Sequence, residues 1–190
     1  MAKERLGSPR ARLFVALELP EHVVRGVAEW GREAFGSVDE LRLVRPESLH
    51  VTLVFLGYHP EREIDRIAEV SFGANGEKFE LTPTGAVPVP RSRPRLFALG
   101  LEDGGDLVEW QGGLSARLGA AGLYEPEQRP FWPHVTLARV KRGARPSRGL
   151  ELPALPPELA QPFTASQVTL FRSTLKPSGA VYEALARMKG

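Results

Sequence analysis

The chain has 190 residues, 42% of them hydrophobic, with a mean hydropathy of −0.20 and no cysteine. That suits one domain, or two tightly joined lobes, around a real core, and it excludes disulfides, thiolate nucleophiles and thiolate metal sites. Net charge is only +2, but the cations are 20 Arg to 5 Lys, a balance that favours bidentate phosphate contacts and equally follows from a G- and C-rich genome, so composition alone names no partner.

Residues 1–11 (MAKERLGSPRA) are charged and lack the apolar stretch of a signal peptide. They read as a disordered extension ahead of one domain spanning 12–190, and the expected setting is the cytoplasm. No later apolar run approaches the roughly 18–20 residues of a membrane helix. Arg12–Leu19 is apolar and partly β-branched, a strand closed by Pro20. Glu21–Phe35 carries apolar residues at 23, 24, 27, 30 and 34, which is helical spacing. Leu41–Val44 leads through Pro46 into a strand over Leu49–Leu56 that Gly57 should end. Strict alternation there puts His50, Thr52 and Val54 on one face. It puts Leu49, Val51, Leu53 and Phe55 on the other, the expected core face. Glu61–Phe72 is a second helix. Lys78–Val87 and Arg95–Leu101 are strands separated by a Pro-rich turn. Asp103–Gly122 is a third helix with Leu107, Trp110, Leu114 and Leu118 inward, weakened by Gly112 and Gly113. Pro133–Val140 is a strand and Gly143–Pro157 a loop. Phe163–Phe171 and Ala180–Arg187 read as a closing strand pair around a turn at Lys176–Gly179. The order is α+β rather than alternating βαβ.

The tetrapeptide His-Val-Thr-Leu stands at His50–Leu53 and again at His134–Leu137, so two of the four histidines open a repeat. At average residue frequencies a given His precedes Val-Thr-Leu on the order of one time in a thousand, which makes chance a poor account of two copies. Residues i and i+2 of a strand share a face. Each copy therefore offers an imidazole beside a hydroxyl. One such pair in a strand is more often structural, the Thr simply a good strand former. Two matching pairs suit acid–base work: a neutral imidazole takes a proton from water, a protonated one gives a proton to a leaving oxygen, and the hydroxyls hold the non-bridging oxygens of a phosphodiester. The copies lack neighbouring carboxylates and the H-E-x-x-H spacing of a metal site. His22 and His59 read as surface or capping residues. No phosphate-binding Gly-rich loop or K-x-D-G is present, so neither a cofactor nor ATP-driven chemistry is expected.

At these residues the chain resembles the two-histidine (2H) phosphoesterase superfamily, and within it the bacterial and archaeal RNA 2′,3′-cyclic phosphodiesterases, also labelled 2′-5′ RNA ligases. RLFVALELPEHV resembles the opening strand and helix of that family, VRPESLHVTLVFLG the first motif block, RPFWPHVTLARV the second, and LFRSTLKPSGAVYEAL, with Ser173, Gly179 and Tyr182, the closing hairpin. The resemblance implies a bilobal α+β fold, two pseudo-symmetric lobes each with an antiparallel sheet flanked by helices, and a groove between. It implies metal-independent opening of RNA 2′,3′-cyclic phosphate ends, tRNA fragments among them, to a 2′-phosphate, by a monomer with no cofactor or membrane partner. It also implies that His50 is the proton donor, His134 the acceptor, and Thr52 and Thr136 the phosphate holders. Arg139 matches an arginine that follows the second motif in the family, although alternation would turn it toward the Val135 and Leu137 side. Trp132 stands where relatives carry a basic residue, and Leu43 near where they carry Trp. Trp132 and, more weakly, Tyr58 are candidates to stack on a base. The rival readings are cleavage or joining of 2′-5′ linkages, action on a small cyclic nucleotide, or a non-catalytic RNA-binding module using the basic segment 139–148.

Overall fold

The computed structural model describes residues 9–72, 77–145, 150, 152–177 and 179–188. In chain order its elements are β1 (Arg10–Glu18), α1 (Glu21–Phe35), β2 (Leu41–Leu43), β3 (His50–Pro60), α2 (Ile64–Ser71), β4 (Phe79–Val89), β5 (Leu96–Asp103), α3 (Asp106–Ala120), β6 (His134–Val140), β7 (Phe163–Ala165), β8 (Val168–Lys176) and β9 (Gly179–Arg187). The strands stand in the order β7-β4-β5-β6-β3-β1-β8-β9, with β2 beside β6, and every pairing is antiparallel. The fold is α+β, as the sequence implied.

The two halves of the sheet touch through a single register pair, Val51 with Val135. On one side lie β3, β1, β8 and β9, on the other β6, β5, β4 and β7. In chain order each HVTL strand follows a strand and a 15-residue helix, β1–α1–β3 and then β5–α3–β6, with α1 packed against β2 and β6 of the other half. The pseudo-symmetry that the resemblance implied is a repeat of element order, and it sets the two motif strands side by side at the seam.

One face of each half is packed under helices. Leu13, Val15 and Leu17 of β1 and Leu99 of β5 are fully buried, in one core with Val27 and Phe35 of α1, Ile67 of α2 and Leu114 and Leu118 of α3. Apolar residues at helical spacing are what drive α1 onto the sheet, and the Trp30 Nε1–H donates to Ala154 O at 3.2 Å. The α3 helix survives Gly112 and Gly113 because three of its leucines are fully buried. Its start is capped by Asp103, whose Oδ2 accepts from the backbone N–H groups of Gly105, Leu107 and Val108. No helix among the described residues is long and apolar enough to cross a membrane.

Four expectations shift. β1 begins at Arg10, inside the segment 1–11 expected to be disordered, because Ala11 is buried and Arg10 and Ala11 pair with Pro60 and His59; residues 1–8 lie outside the described residues. The second helix is a short 3₁₀ turn over Glu61–Glu63 followed by Ile64–Ser71. Phe163–Phe171 is two strands: β7 pairs with β4 at one edge of the sheet while β8 pairs with β1 in the other half. A continuous run of strand-forming residues carries no information about where its partners are. Finally, the alternation in β3 breaks, with consequences for the site.

Candidate active site

The break is a β-bulge, and it occurs in both motif strands at the same place. Against β1, Ala16 pairs with Thr52 but Val15 pairs with Val54, so Leu53 is an extra residue. Against β5, Ala98 pairs with Thr136 but Phe97 pairs with Ala138, so Leu137 is extra. A bulge puts two consecutive residues opposite one and reverses the alternation beyond it. Leu53 and Val54 are both buried, as are Leu137 and Ala138. Val54 is therefore a core residue, and Phe55, expected in the core, is 38% exposed and faces the groove. Arg139 is corrected in the same way: it stands on the same side of the sheet as Thr136, five positions after His134 just as Phe55 stands five after His50. It lines the recess between the two motif strands.

That recess, about 100 Å³, is lined by His50, Thr52, Thr136 and Arg139 together with Arg12, Phe14, Val44, Ser48, Phe55 and Tyr182. His134 stands beside it on β6. Both candidate histidines are held alike. His50 Nδ1 is 2.8 Å from Ser48 O, and His134 Nδ1 is 2.8 Å from Trp132 O. A carbonyl oxygen only accepts, so each Nδ1 carries a hydrogen and each neutral ring keeps its lone pair on Nε2. In each case the acceptor is the carbonyl two residues upstream. His50 Nε2 accepts from the Thr52 hydroxyl at 3.0 Å, which is the same-face pairing expected from strand geometry.

The surroundings break the symmetry. The His50 ring lies 5.0 Å from Phe14 and 5.3 Å edge-on from Tyr182, with Phe171 at 6.4 Å. Burial in this aromatic setting lowers the His50 pKa to about 4, the positive charges of Arg139 and His134 add to the lowering, and the Ser48 hydrogen bond and Glu18 act against it. Glu18 pairs with His50 across the sheet, whereas Gly100 is the partner of His134. That Glu18 carboxylate is already engaged by the Thr169 hydroxyl and by Arg187 Nε at 3.2 Å. His134 instead is stacked on Trp132, ring centres 4.6 Å apart and planes 15° from parallel.

Trp132 thus both orients His134 through its carbonyl and covers one face of its ring. It does not line the recess, and 38% of it is exposed. Tyr58 pairs with Arg12 on the groove side of β3, also outside the recess, and is 58% exposed. Of the basic segment 139–148, residues 146–148 lie outside the described residues. His22 is exposed, and His59 faces Leu56 O and Glu63. Among the described residues no group of three His, Cys, Asp or Glu is placed to hold a metal ion.

Sequence reading missed Arg12, Phe14 and Phe55. Arg12 and Phe14 sit on the opening strand, which looked like core. Their signal was the period-2 pattern Arg12, Phe14, Ala16, Glu18, one face of β1 carrying two charges at its ends. Phe55 could not be found without knowing the bulge.

The family model described as LigT like Phosphoesterase matches residues 17–97 and again 99–182, each stretch containing one HVTL copy. A protein of Thermus thermophilus named RNA 2′,3′-cyclic phosphodiesterase is 34% identical, the match covering 93% of this chain and 88% of the relative. One of the same name from Methanothermobacter thermautotrophicus is 32% identical over 91% and 95% of the two chains. Among solved structures, TT0787 of Thermus thermophilus superposes with a TM-score of 0.77 at 29% identity, covering 93% of this chain and 96% of that one. LigT of Escherichia coli complexed with 3′-AMP superposes with a TM-score of 0.78 at 26% identity, covering 94% and 97%.

Proposed function

The chain belongs to the LigT-like phosphoesterase family, and from that premise we propose that it opens RNA 2′,3′-cyclic phosphate ends to 2′-phosphates by acid–base catalysis between His50 and His134, without a metal ion. The observation that carries this reading is the matched pair of motif strands. Each holds its imidazole by an Nδ1–H bond to the carbonyl two residues back, leaving Nε2 as the working atom at one seam. Curated relatives named RNA 2′,3′-cyclic phosphodiesterase support the substrate class. The proposed setting is the cytoplasm, with RNA ends, tRNA fragments among them, as substrates of a monomer.

In the proposed step, water attacks phosphorus, His134 Nε2 takes the water proton, the P–O3′ bond breaks, and O3′ leaves with a proton from His50 Nε2. Thr52, Thr136 and Arg139 hold the non-bridging oxygens as charge builds on them. A donor must carry its proton, and His50 by itself does so only below about pH 4. The substrate phosphate supplies the missing counter-charge, so His50 gains its proton as the anion binds. The same low proton affinity favours a second reading with the roles exchanged, His50 being the readier base.

One experiment tests both. His50→Ala and His134→Ala should each lose cyclic-phosphate opening by at least about 100-fold in excess chelator; unchanged turnover in both sinks the mechanism. A substrate with sulfur at the 3′ leaving position needs no proton donor, so it should restore turnover to whichever variant lacks the acid. Rescue of His50→Ala supports the donor assignment, and rescue of His134→Ala reverses it.

A further inference from the structure

We propose that Arg12 is a second phosphate site, which takes the phosphodiester joining the terminal nucleotide to the rest of the RNA, so that the groove is built for RNA ends longer than one nucleotide. The inference rests on the cyclic-phosphodiesterase reading above and extends it along the strand.

Arg12 lines the same recess as Thr52, Thr136 and Arg139. It is fixed in place: its Nη1 donates to the buried Ser173 Oγ at 2.8 Å, and its guanidinium lies 4.3 Å over the Phe55 ring. Among the described residues no carboxylate pairs with it. A half-buried guanidinium held by a hydroxyl and a ring keeps donors available, and its planar fork matches a phosphate. The scissile phosphate is accounted for by the motif threonines and Arg139, and it carries one negative charge. Arg12 on the other wall, across Phe55, answers to a different charge.

The groove also has a direction. On the same face of β1, Arg12 and Glu18 stand six residues, about 20 Å, apart. The Glu18 end opens into an adjoining recess of about 260 Å³ bordered by Glu18, Glu21 and Glu47. Glu18 is paired there with Arg187 and Glu47 with Arg45, whereas Arg12 has no carboxylate partner among the described residues, so a polyanion is drawn toward the Arg12 end. The nearest second phosphate on a cyclic-phosphate RNA end is the one on the 5′ side of the terminal nucleotide. The exposed Phe55 ring, which carries the Arg12 guanidinium on one face, is a platform beside it for the sugar or base that joins the phosphates.

The test compares a nucleoside 2′,3′-cyclic phosphate bearing a free 5′ hydroxyl with a dinucleotide ending in the same group, on the wild type, Arg12→Met and Arg12→Lys. The wild type should prefer the dinucleotide. Arg12→Met should lose about 10- to 100-fold in kcat/KM on the dinucleotide, mainly through KM, and far less on the mononucleoside. Arg12→Lys should keep part of the preference. A dinucleotide with an uncharged methylphosphonate linkage should gain nothing from Arg12. Equal losses on both substrates, or no loss on either, overturn the proposal; equal losses would assign Arg12 to the scissile phosphate or to folding. If the wild type opens neither substrate, the underlying reading fails by itself. The affinities of a dinucleotide and a mononucleoside 2′-phosphate for wild type and Arg12→Met then still decide whether Arg12 binds the linking phosphate.

Discussion

At the scale of single residues, the two motif histidines are alike in sequence and in backbone tether and unlike in surroundings. Folding places His50 among Phe14, Phe171 and Tyr182 and lowers its pKa from the ordinary 6.5 to about 4. The consequence for stability has a definite sign. Between pH 4 and 6.5 the unfolded chain binds the proton that the folded chain refuses, so stability rises with pH. The contribution is whole above about pH 6.5 and is lost as pH falls toward 4. His50→Gln removes this titration, so the stability gap between wild type and variant should narrow or reverse on acidification, by on the order of 2–3 kcal/mol. Urea unfolding of the ligand-free proteins at about pH 7 and about pH 4.5 checks it, and a gap that does not change with pH would remove the burial account. The His and Thr pairs were legible from four letters repeated. The unequal environments were not, because Phe14, Phe171 and Tyr182 come from three strands, two of them distant in sequence from the motif.

At the scale of the elements, the bulges at Leu53 and Leu137 decide which side chains reach the groove. β3 bends again just beyond: Leu13 pairs with Gly57 and Phe14 with Phe55, so Leu56 is a second extra residue. Gly57 takes φ 77° there, in the left-handed region. No atom crowds a Cβ at that position, so Gly57→Ala should destabilise through backbone strain alone, by about 1–2 kcal/mol. Its melting temperature should drop by about 2–4 °C for each kcal/mol. The misplaced Phe55 platform should also raise KM for the dinucleotide more than for the mononucleoside. A variant with unchanged melting temperature would show that the turn relaxes without cost. Gly57 was legible as the end of a strand. That β3 runs on to Pro60 depends on its nine-pair ladder with β1, and local propensity does not record a partner. Alternation read from sequence held through Leu53 and Leu137 and failed at Val54 and Ala138, just past the bulge in each strand, which is why Arg139 was assigned to the wrong side.

At the scale of the whole molecule, the seam between the halves is thin, a single register pair between β3 and β6, while the proposed phosphate holders come from both: Thr52 from one half, Thr136 and Arg139 from the other. A bound phosphate would therefore tie the halves together. A nucleoside 2′-phosphate should slow amide exchange in β3 and β6 together, with the edge strands β7 and β9 little changed; protection confined to one half would mean that only that half holds the phosphate. The amino-acid sequence by itself determined the α+β class, most of the helices and strands, the paired His and Thr side chains and the family, because periodicity and a repeated motif are local and survive being read one residue after another. The tertiary structure alone decided which strand carries which face beyond the bulges, where the run from Phe163 to Phe171 divides, the unequal proton affinity of the groove, and the presence of Arg12 within it. Each of these depends on which strands lie side by side, and that is set by burying both halves in one core rather than by any segment alone.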